Sequence, residues 1–213
     1  MEDIELFNPD NSVNNVYSYE DLLKLFYGRQ EYYCFDYPKW CCFIAKKGFK
    51  DMVELGNYYG WSCSFLGIQR RKLDDNFTIH AIDLHDKDLR EESKKNGYYS
   101  SPILRKRQFS IFQKNIKKHN LETNINVIKG CSWEVADNFL DCSLDYVFID
   151  ADHQYESVKK DILAWLPKIK PGGIIAGHDY VSDFGVDKAV QEQFGCNFSI
   201  WDEGQCKVWY KYV

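Results

Sequence analysis

No stretch of this chain approaches the ~20 consecutive apolar residues that a membrane-spanning helix needs. The opening Met1-Glu2-Asp3 has no basic n-region, so no signal peptide is expected and a cytoplasmic setting follows. Repeats, linkers and low-complexity tracts are missing. A surplus of positive charge is missing too: the formal net charge is −5, which gives no support for nucleic-acid binding. The eight cysteines never form a C-x-x-C pair, which argues against a zinc site. Several of them, Cys63, Cys131 and Cys142 among them, lie beside expected core or ligand segments, so reduced thiols are expected rather than a disulfide framework. The G-x-G-x-x-G fingerprint of a dinucleotide site is also absent. What is present suffices for a substantial core: 213 residues, 45% hydrophobic and 16% aromatic, the size of a single domain. Nothing in the sequence sets an oligomeric state.

The richest stretch runs from Leu144 to Tyr180. Val147, Phe148 and Ile149 lead into Asp150, Asp152 and His153. Ile174, Ile175 and Ala176 lead into His178 and Asp179. Continuous apolar runs of this length read as strands buried on both faces of a parallel sheet. Such sheets bind ligands beyond the carboxyl ends of their strands. Both acid-histidine clusters therefore belong on one rim. Three carboxylates and two imidazoles gathered there point to a metal ion and a base.

A second feature lies upstream. A short strand at 51–55 runs into Glu54-Leu55-Gly56-Asn57-Tyr58-Tyr59-Gly60-Trp61-Ser62, a glycine-marked turn into a helix. The next strand, 78–83, ends in Asp83. Glycines let a backbone approach a ligand closely, and an acid ending the following strand can accept both hydroxyls of a ribose. The pattern here is E-x-G-x-x-x-G. An acid two residues before the first glycine would repel a pyrophosphate but could anchor a cationic ligand.

The remaining chain is organised around these motifs. Residues 1–37 read as a polar lead-in with a short helix opened by Ser18-Tyr19-Glu20-Asp21, and 38–213 as the core. Helices are expected over 38–47, about 61–72, the stretch marked by Phe109, Phe112 and Ile116, a segment opened by Ser132, the stretch marked by Tyr155, Val158, Ile162 and Trp165, and about 183–194. Strands are expected at 125–129, 144–150 and 174–178, with Pro171-Gly172-Gly173 as the turn before the last. The tail reads as a hairpin. The long connection 86–103, with Tyr98 and Tyr99, reads as a lid or binding loop. Arg70-Arg71-Lys72 and Arg105-Lys106-Arg107 are expected to be solvated helix faces, the second near enough to the lid to meet an anionic substrate.

Taken together, E-x-G-x-x-x-G, Asp83, the strand into D-A-D-H and the K-P-G-G-I-I-A-G-H-D-Y segment resemble class I S-adenosylmethionine-dependent methyltransferases over residues 38 to 213. Within that superfamily, D-x-x-H followed by G-H-D-Y looks like the metal-dependent sugar O-methyltransferases of the macrolide type. Catechol O-methyltransferases are more distant relatives. The resemblance implies an α/β fold: a Rossmann-like, doubly wound seven-stranded sheet, mostly parallel, with an antiparallel C-terminal strand and helices on both faces.

By the same resemblance, Glu54, Gly56, Tyr58, Gly60, Ser62, Asp83, Leu84, Cys131, Ser132, Trp133 and Asp150 would line the S-adenosyl-L-methionine site. Asp150, His178 and Asp179 would hold a divalent ion, Mg2+ with Mn2+ as a rival; the catalytic residues would be Asp150, placed where the transferred methyl would sit, and His153 as the general base. Plainer readings stand beside these. Asp83 could be a turn acid, Glu54 a loop cap, Ser132 an N-cap, Trp133 a core residue, His153 a helix cap, and Asp152 either a weaker metal ligand or an exposed helix cap. His178 could be a ligand, a substrate contact or a core histidine. The family has other residue types where this chain has His178, which departs from its usual ligand set. The acceptor implied is a hydroxyl of a sugar on a glycan or natural product. The alternatives are a catechol-like small molecule, a nucleotide-binding oxidoreductase, or a methyltransferase-like binding module without catalysis.

Overall fold

A computed structural model describes residues 36–85, 102–181, 185–202 and 207–213. The expected lead-in helix, and residues 86–101 of the expected lid, lie outside the described residues.

Strands β1 (Asp51–Leu55), β2 (Thr78–Asp83), β3 (Ile125–Lys129), β4 (Leu144–Ile149), β5 (Ile169–Gly177), β6 (Ser199–Trp201) and β7 (Val208–Tyr212) form one sheet in the order β3-β2-β1-β4-β5-β7-β6. Pairing is parallel from β3 through β5. Strand β7 runs antiparallel to both β5 and β6. From β1 the chain winds outward through β2 to β3, then returns to place β4 on the other side of β1. Strand order reverses between β1 and β4, and in open α/β sheets the ligand crevice opens at that point.

Side-chain alternation along the strands sorts the core into two layers. Met52, Tyr146, Phe148, Ile174 and Ala176 face one layer with helices α1 (Asp36–Lys46), α2 (Trp61–Leu73) and α3 (Pro102–Lys118). Val53, Leu55, Val147, Ile149 and Ile175 face the other, with α4 (Ser132–Val135), α5 (Tyr155–Trp165) and α6 (Val186–Phe194). Each large side chain fully buried here contributes roughly 1.5–3 kcal/mol relative to exposure. Trp40 and Tyr146 satisfy each other's polar tips, the indole Nε1 donating to the Tyr146 hydroxyl at 2.8 Å. Among the described residues no helix is long and apolar enough to cross a membrane. The six cysteines described are all free thiols.

Two local expectations change. Pro171-Gly172-Gly173 lies inside β5 rather than before it. Leu144 pairs with Ile169 while Tyr146 pairs with Ile174, so extra β5 residues bulge out between these pairs. A bulge is where a sheet tolerates proline, because the missing N–H breaks no ladder bond. Within the basic run at 70–72, Lys72 is exposed as expected, but the two arginines are engaged by the fold. Arg70 is 2% exposed, donates to the Ala45 carbonyl at 3.2 Å and covers the Phe77 ring. Arg71 donates to the carbonyls of His119 and Asn120. Those carbonyls sit at the ends of α1 and α3, where helices leave acceptors unsatisfied and the dipole favours a cation. Of the second run, the side chains lie outside the described residues.

Gly177, the last residue of β5, packs directly on Trp209. A Cβ there would sit 2.5 Å from the indole Nε1. Gly177→Ala should push β7 away and destabilise the protein by about 1–3 kcal/mol, the usual cost of overpacking. Urea denaturation read by tryptophan fluorescence checks this, and an unchanged midpoint would mean that the sheet yields there at no cost.

Candidate active site

The carboxyl ends of β1, β2, β4 and β5 form one rim because backbone bonds continue past the strands. Gly56 N donates to Ile82 O at 2.8 Å, Asp150 N to Leu55 O at 2.8 Å, His178 N to Ile149 O at 3.0 Å, and Gly130 N to Asp83 O at 3.0 Å. This alignment brings the two sequence motifs side by side. Gly56 adopts φ +83°, and a Cβ on it would lie 2.1 Å from the Asp150 carbonyl oxygen. Only glycine fits that contact and that dihedral. Gly60, at φ +72°, is covered by the Phe112 ring of α3, which its Cβ would meet at 2.3 Å.

Asp83 ends β2 and reaches into the β1–α2 turn. Its Oδ2 accepts from the amides of Asn57 (2.8 Å) and Tyr58 (3.2 Å), and its Oδ1 accepts from His85 N (3.2 Å). The plainer reading of Asp83 as a turn acid is thus realised, on a half-buried carboxylate that stays at the rim. Tyr58, by contrast, is largely exposed. Glu54 lies beneath the turn, buried, with Oε1 accepting from Ser62 Oγ at 2.5 Å and from Asn57 Nδ2 at 3.2 Å. Burial pushes its carboxyl up to about 8; the Ser62 and Asn57 bonds oppose this, and nearby Asp150 adds to it. Asn57 is a site residue the sequence reading passed over. Its amide and side chain join Glu54 to Asp83, and its place inside the glycine turn was the available signal.

On the other side of Asp83, Leu84 is half-buried and Cys131 precedes α4 with an extended backbone. The Ser132 carbonyl accepts from Trp165 Nε1 at 3.1 Å, and Lys160 Nζ stands 5.1 Å from the Trp133 ring centre.

The acid-histidine cluster closes at the ends of β4 and β5. His153 Nε2 lies 3.4 Å from Asp150 Oδ1 and 3.4 Å from Asp179 Oδ2. His178 Nδ1 lies 3.5 Å from Asp150 Oδ1 and 3.2 Å from Asp179 Oδ1. His178 is buried beneath the carboxylates, while His153 is on the more open side. Asp179 has φ +49°, a left-handed conformation that aspartate tolerates better than most residues. Burial raises the Asp150 carboxyl, but the His178 and His153 imidazoles outweigh it and hold the group well below the usual carboxylate range. Burial lowers His153, yet its bond to Asp150 and the charges of Asp150 and Asp179 leave it above its ordinary value. Ligand atoms of Asp150, His153 and Asp179 lie within 4.8 Å of one another, close enough to hold one cation. His153 is therefore not a helix cap. That position belongs to Gln154, and Asp152 supports it by accepting from Gln154 N and Ser157 Oγ. Asp152 is not among the three residues whose ligand atoms converge.

A family profile described as a methyltransferase domain matches residues 53–180, well over half of the chain. The chain belongs to this family of methyltransferase domains. An uncharacterised protein of Sinorhizobium fredii is 28% identical over 131 residues, which is 60% of this chain but 13% of that protein. The chain thus spans a small part of the curated relative it matches. Among solved structures, an O-methyltransferase from Bacillus cereus in complex with SAH superposes with a TM-score of 0.60 at 16% identity, covering 91% of this chain and 90% of that one. A SAM-dependent O-methyltransferase from Thermotoga maritima gives 0.59 at 14% identity, covering 91% and 71%. At these identities the likeness is one of fold.

Glu54 carries a pH signature. Its carboxyl sits near 8 in the folded protein against about 4.5 ordinarily. A group raised in this way contributes stability that is fully present below its unfolded value and is lost as pH rises through its folded value. Wild-type stability relative to Glu54→Gln should therefore fall between about pH 4.5 and 8, by an amount on the order of a few kcal/mol. Denaturant titrations of both proteins across this window check it. Parallel curves would mean that Glu54 ionises freely.

Proposed function

We propose that this protein is an S-adenosylmethionine-dependent O-methyltransferase that methylates a hydroxyl of a sugar, in a glycan or glycosylated natural product, with the help of a divalent metal. The observation that carries the reading is the contact of Gly56 with the Asp150 carbonyl, which sets a nucleoside-type turn against a carboxylate-imidazole cluster. Glu54, with the backbones of Gly56, Tyr58 and Gly60 and the Ser62 hydroxyl, would hold the amino-acid end of the cofactor. Asp83 would take the ribose hydroxyls. Leu84, Cys131, Ser132 and Trp133 would line the adenine. When bound, the cofactor supplies a methyl group activated on a positively charged sulfur.

The cluster fits a divalent cation by its donor set. Asp150 and Asp179 would hold it with one imidazole: His153 completes the set whose ligand atoms converge, and His178, whose Nδ1 also faces both carboxylates, would take that place where His153 serves as the base. Two carboxylates suit Mg2+, and an imidazole donor makes Mn2+ a strong rival. Such an ion lowers the pKa of a hydroxyl it touches and orients a vicinal diol. Asp150, pulled low by its imidazole neighbours, remains ionised throughout the physiological range. His153 would accept the proton of the acceptor hydroxyl at Nε2, the ring nitrogen directed into the cluster. Much of the remaining acceleration would come from holding oxygen, methyl and sulfur in line. The adjoining turn and cluster also favour an enzyme over a binding module.

Calorimetry should find S-adenosylmethionine bound in the micromolar range, roughly −7 to −8 kcal/mol. Asp83→Ala should weaken it by about 1.5–3 kcal/mol. Selective binding of NAD, or an Asp83→Ala protein with wild-type affinity, would remove the cofactor assignment.

Turnover on labelled cofactor should stop in EDTA and return with Mg2+ or Mn2+. His153→Ala should lower kcat by roughly 10²–10⁴ with little change in cofactor affinity. A catechol ionises more easily than a sugar hydroxyl, so it should lose less in this variant. Full activity in EDTA would refute metal assistance, and equal losses on both acceptors would remove the preference for a sugar.

A further inference from the structure

Helix α5 starts on the loop that carries Asp150 and His153, and its next turns hold the Cys131–Trp133 turn. Three side chains make that contact. Lys160 stacks its ammonium over the Trp133 ring, and Trp165 donates to the Ser132 carbonyl. The third is Asp161, one turn before Trp165 on the same face of α5, where the Ser132 hydroxyl favours its charged form. Packing accounts for the first two. It does not account for Asp161, which is fully buried with neither carboxyl oxygen meeting a donor in hydrogen-bond geometry.

A carboxyl in that state costs the fold. Burial without full hydrogen bonding is unfavourable for the neutral acid and more so for the anion. Burial raises this group to about 7; the Ser132 hydroxyl opposes the rise and the charge of Asp152 adds to it. An aliphatic side chain of similar volume would suit the same space better, since replacing buried charged groups by well-packed apolar ones is often neutral or stabilising. Stability therefore gives no reason for an acid at this position. The side chain of the Cys131–Trp133 turn that acts on it is Ser132, and either form of the acid can engage that hydroxyl, the neutral one as donor and the anion as acceptor.

We propose that Asp161 is a positioning residue that orients the Ser132 hydroxyl and the Cys131–Trp133 turn for recognition of the cofactor's adenine, at some expense in stability. This rests on the reading that the turn lines the adenine.

The test uses the full chain and three variants: Asp161→Leu, Asp161→Asn and Ser132→Ala. Two probes are titrated by calorimetry, S-adenosylhomocysteine and its inosine counterpart, in which a carbonyl replaces the exocyclic amine. Thermal unfolding is recorded without ligand. Asp161→Leu should bind S-adenosylhomocysteine about threefold to tenfold more weakly, the worth of one hydrogen bond. It should discriminate less between the two probes, and its Tm should equal or exceed that of the wild type. Asp161→Asn, which keeps a donor and an acceptor, should restore most of the affinity. Ser132→Ala should add little to the loss already seen in Asp161→Leu. A Leu variant that binds and discriminates like the wild type overturns the proposal. So does one whose Tm falls together with its affinity, which marks a structural residue. A wild-type protein that binds neither probe points elsewhere: the cofactor assignment itself is then wrong.

Discussion

The site depends on one close approach. At Gly56 the β1–α2 turn lies on the carbonyl of Asp150, at a distance that leaves no room for a Cβ. The contact exists because β1 and β4 are neighbours across the point where strand order reverses. It draws the glycine turn and the acid cluster, some ninety residues apart in sequence, onto adjoining parts of one rim. Asp83 holds the turn from the other side through the amides of Asn57 and Tyr58. A larger residue at 56 would have to move either the turn or the end of β4. Both alternatives would separate the two halves of the site.

Two carboxyls near this contact are tuned in opposite directions by their surroundings. Glu54 is buried with a hydroxyl and an amide as partners, and desolvation prevails. Asp150 is adjacent to two imidazoles, and their favourable interaction prevails over burial. Groups pushed apart in this way take different roles in catalytic sites. A cation placed beside Glu54 would favour its charged form. Asp150 is held in its charged form, and with Asp179 it brackets the ring nitrogens of His153 and His178.

The helical layers convert sheet topology into side-chain placement. Phe112 of α3 covers Gly60, so the turn into α2 is backed by the hydrophobic core. Arg70 and Arg71 saturate carbonyls at the ends of α1 and α3 and pin α2 between them. On the opposite face, α5 spans the distance from the acid cluster to the Cys131–Trp133 turn. Both faces therefore brace the rim, one through apolar packing and the other through Trp165 and Lys160.

Much of this was legible in the chain before folding was considered. Strands at 51–55, 78–83 and 125–129 begin and end where their composition indicates, since apolar runs in such sheets are bounded by turn residues. The rim location of Asp83, Asp150 and Asp179 followed as well, because the ligand side of a parallel sheet is set by strand direction. Other features needed the tertiary structure. Pro171-Gly172 reads locally as a turn, and only pairing with β4 makes it a bulge. Arg70 reads as a solvated charge, and only the approach of α1 supplies the carbonyl that buries it. Asp152 and His153 are neighbours with equal local claims as cluster members. The path of the chain into α5 sends one to support the start of the helix, through Gln154 N and Ser157 Oγ, and the other between two carboxylates. Sequence determined which groups reach the rim, since that follows from strand direction and hydrophobic period. Which of them face one another was decided by how the helices close over the sheet, because side-chain direction depends on neighbours that the local sequence does not contain.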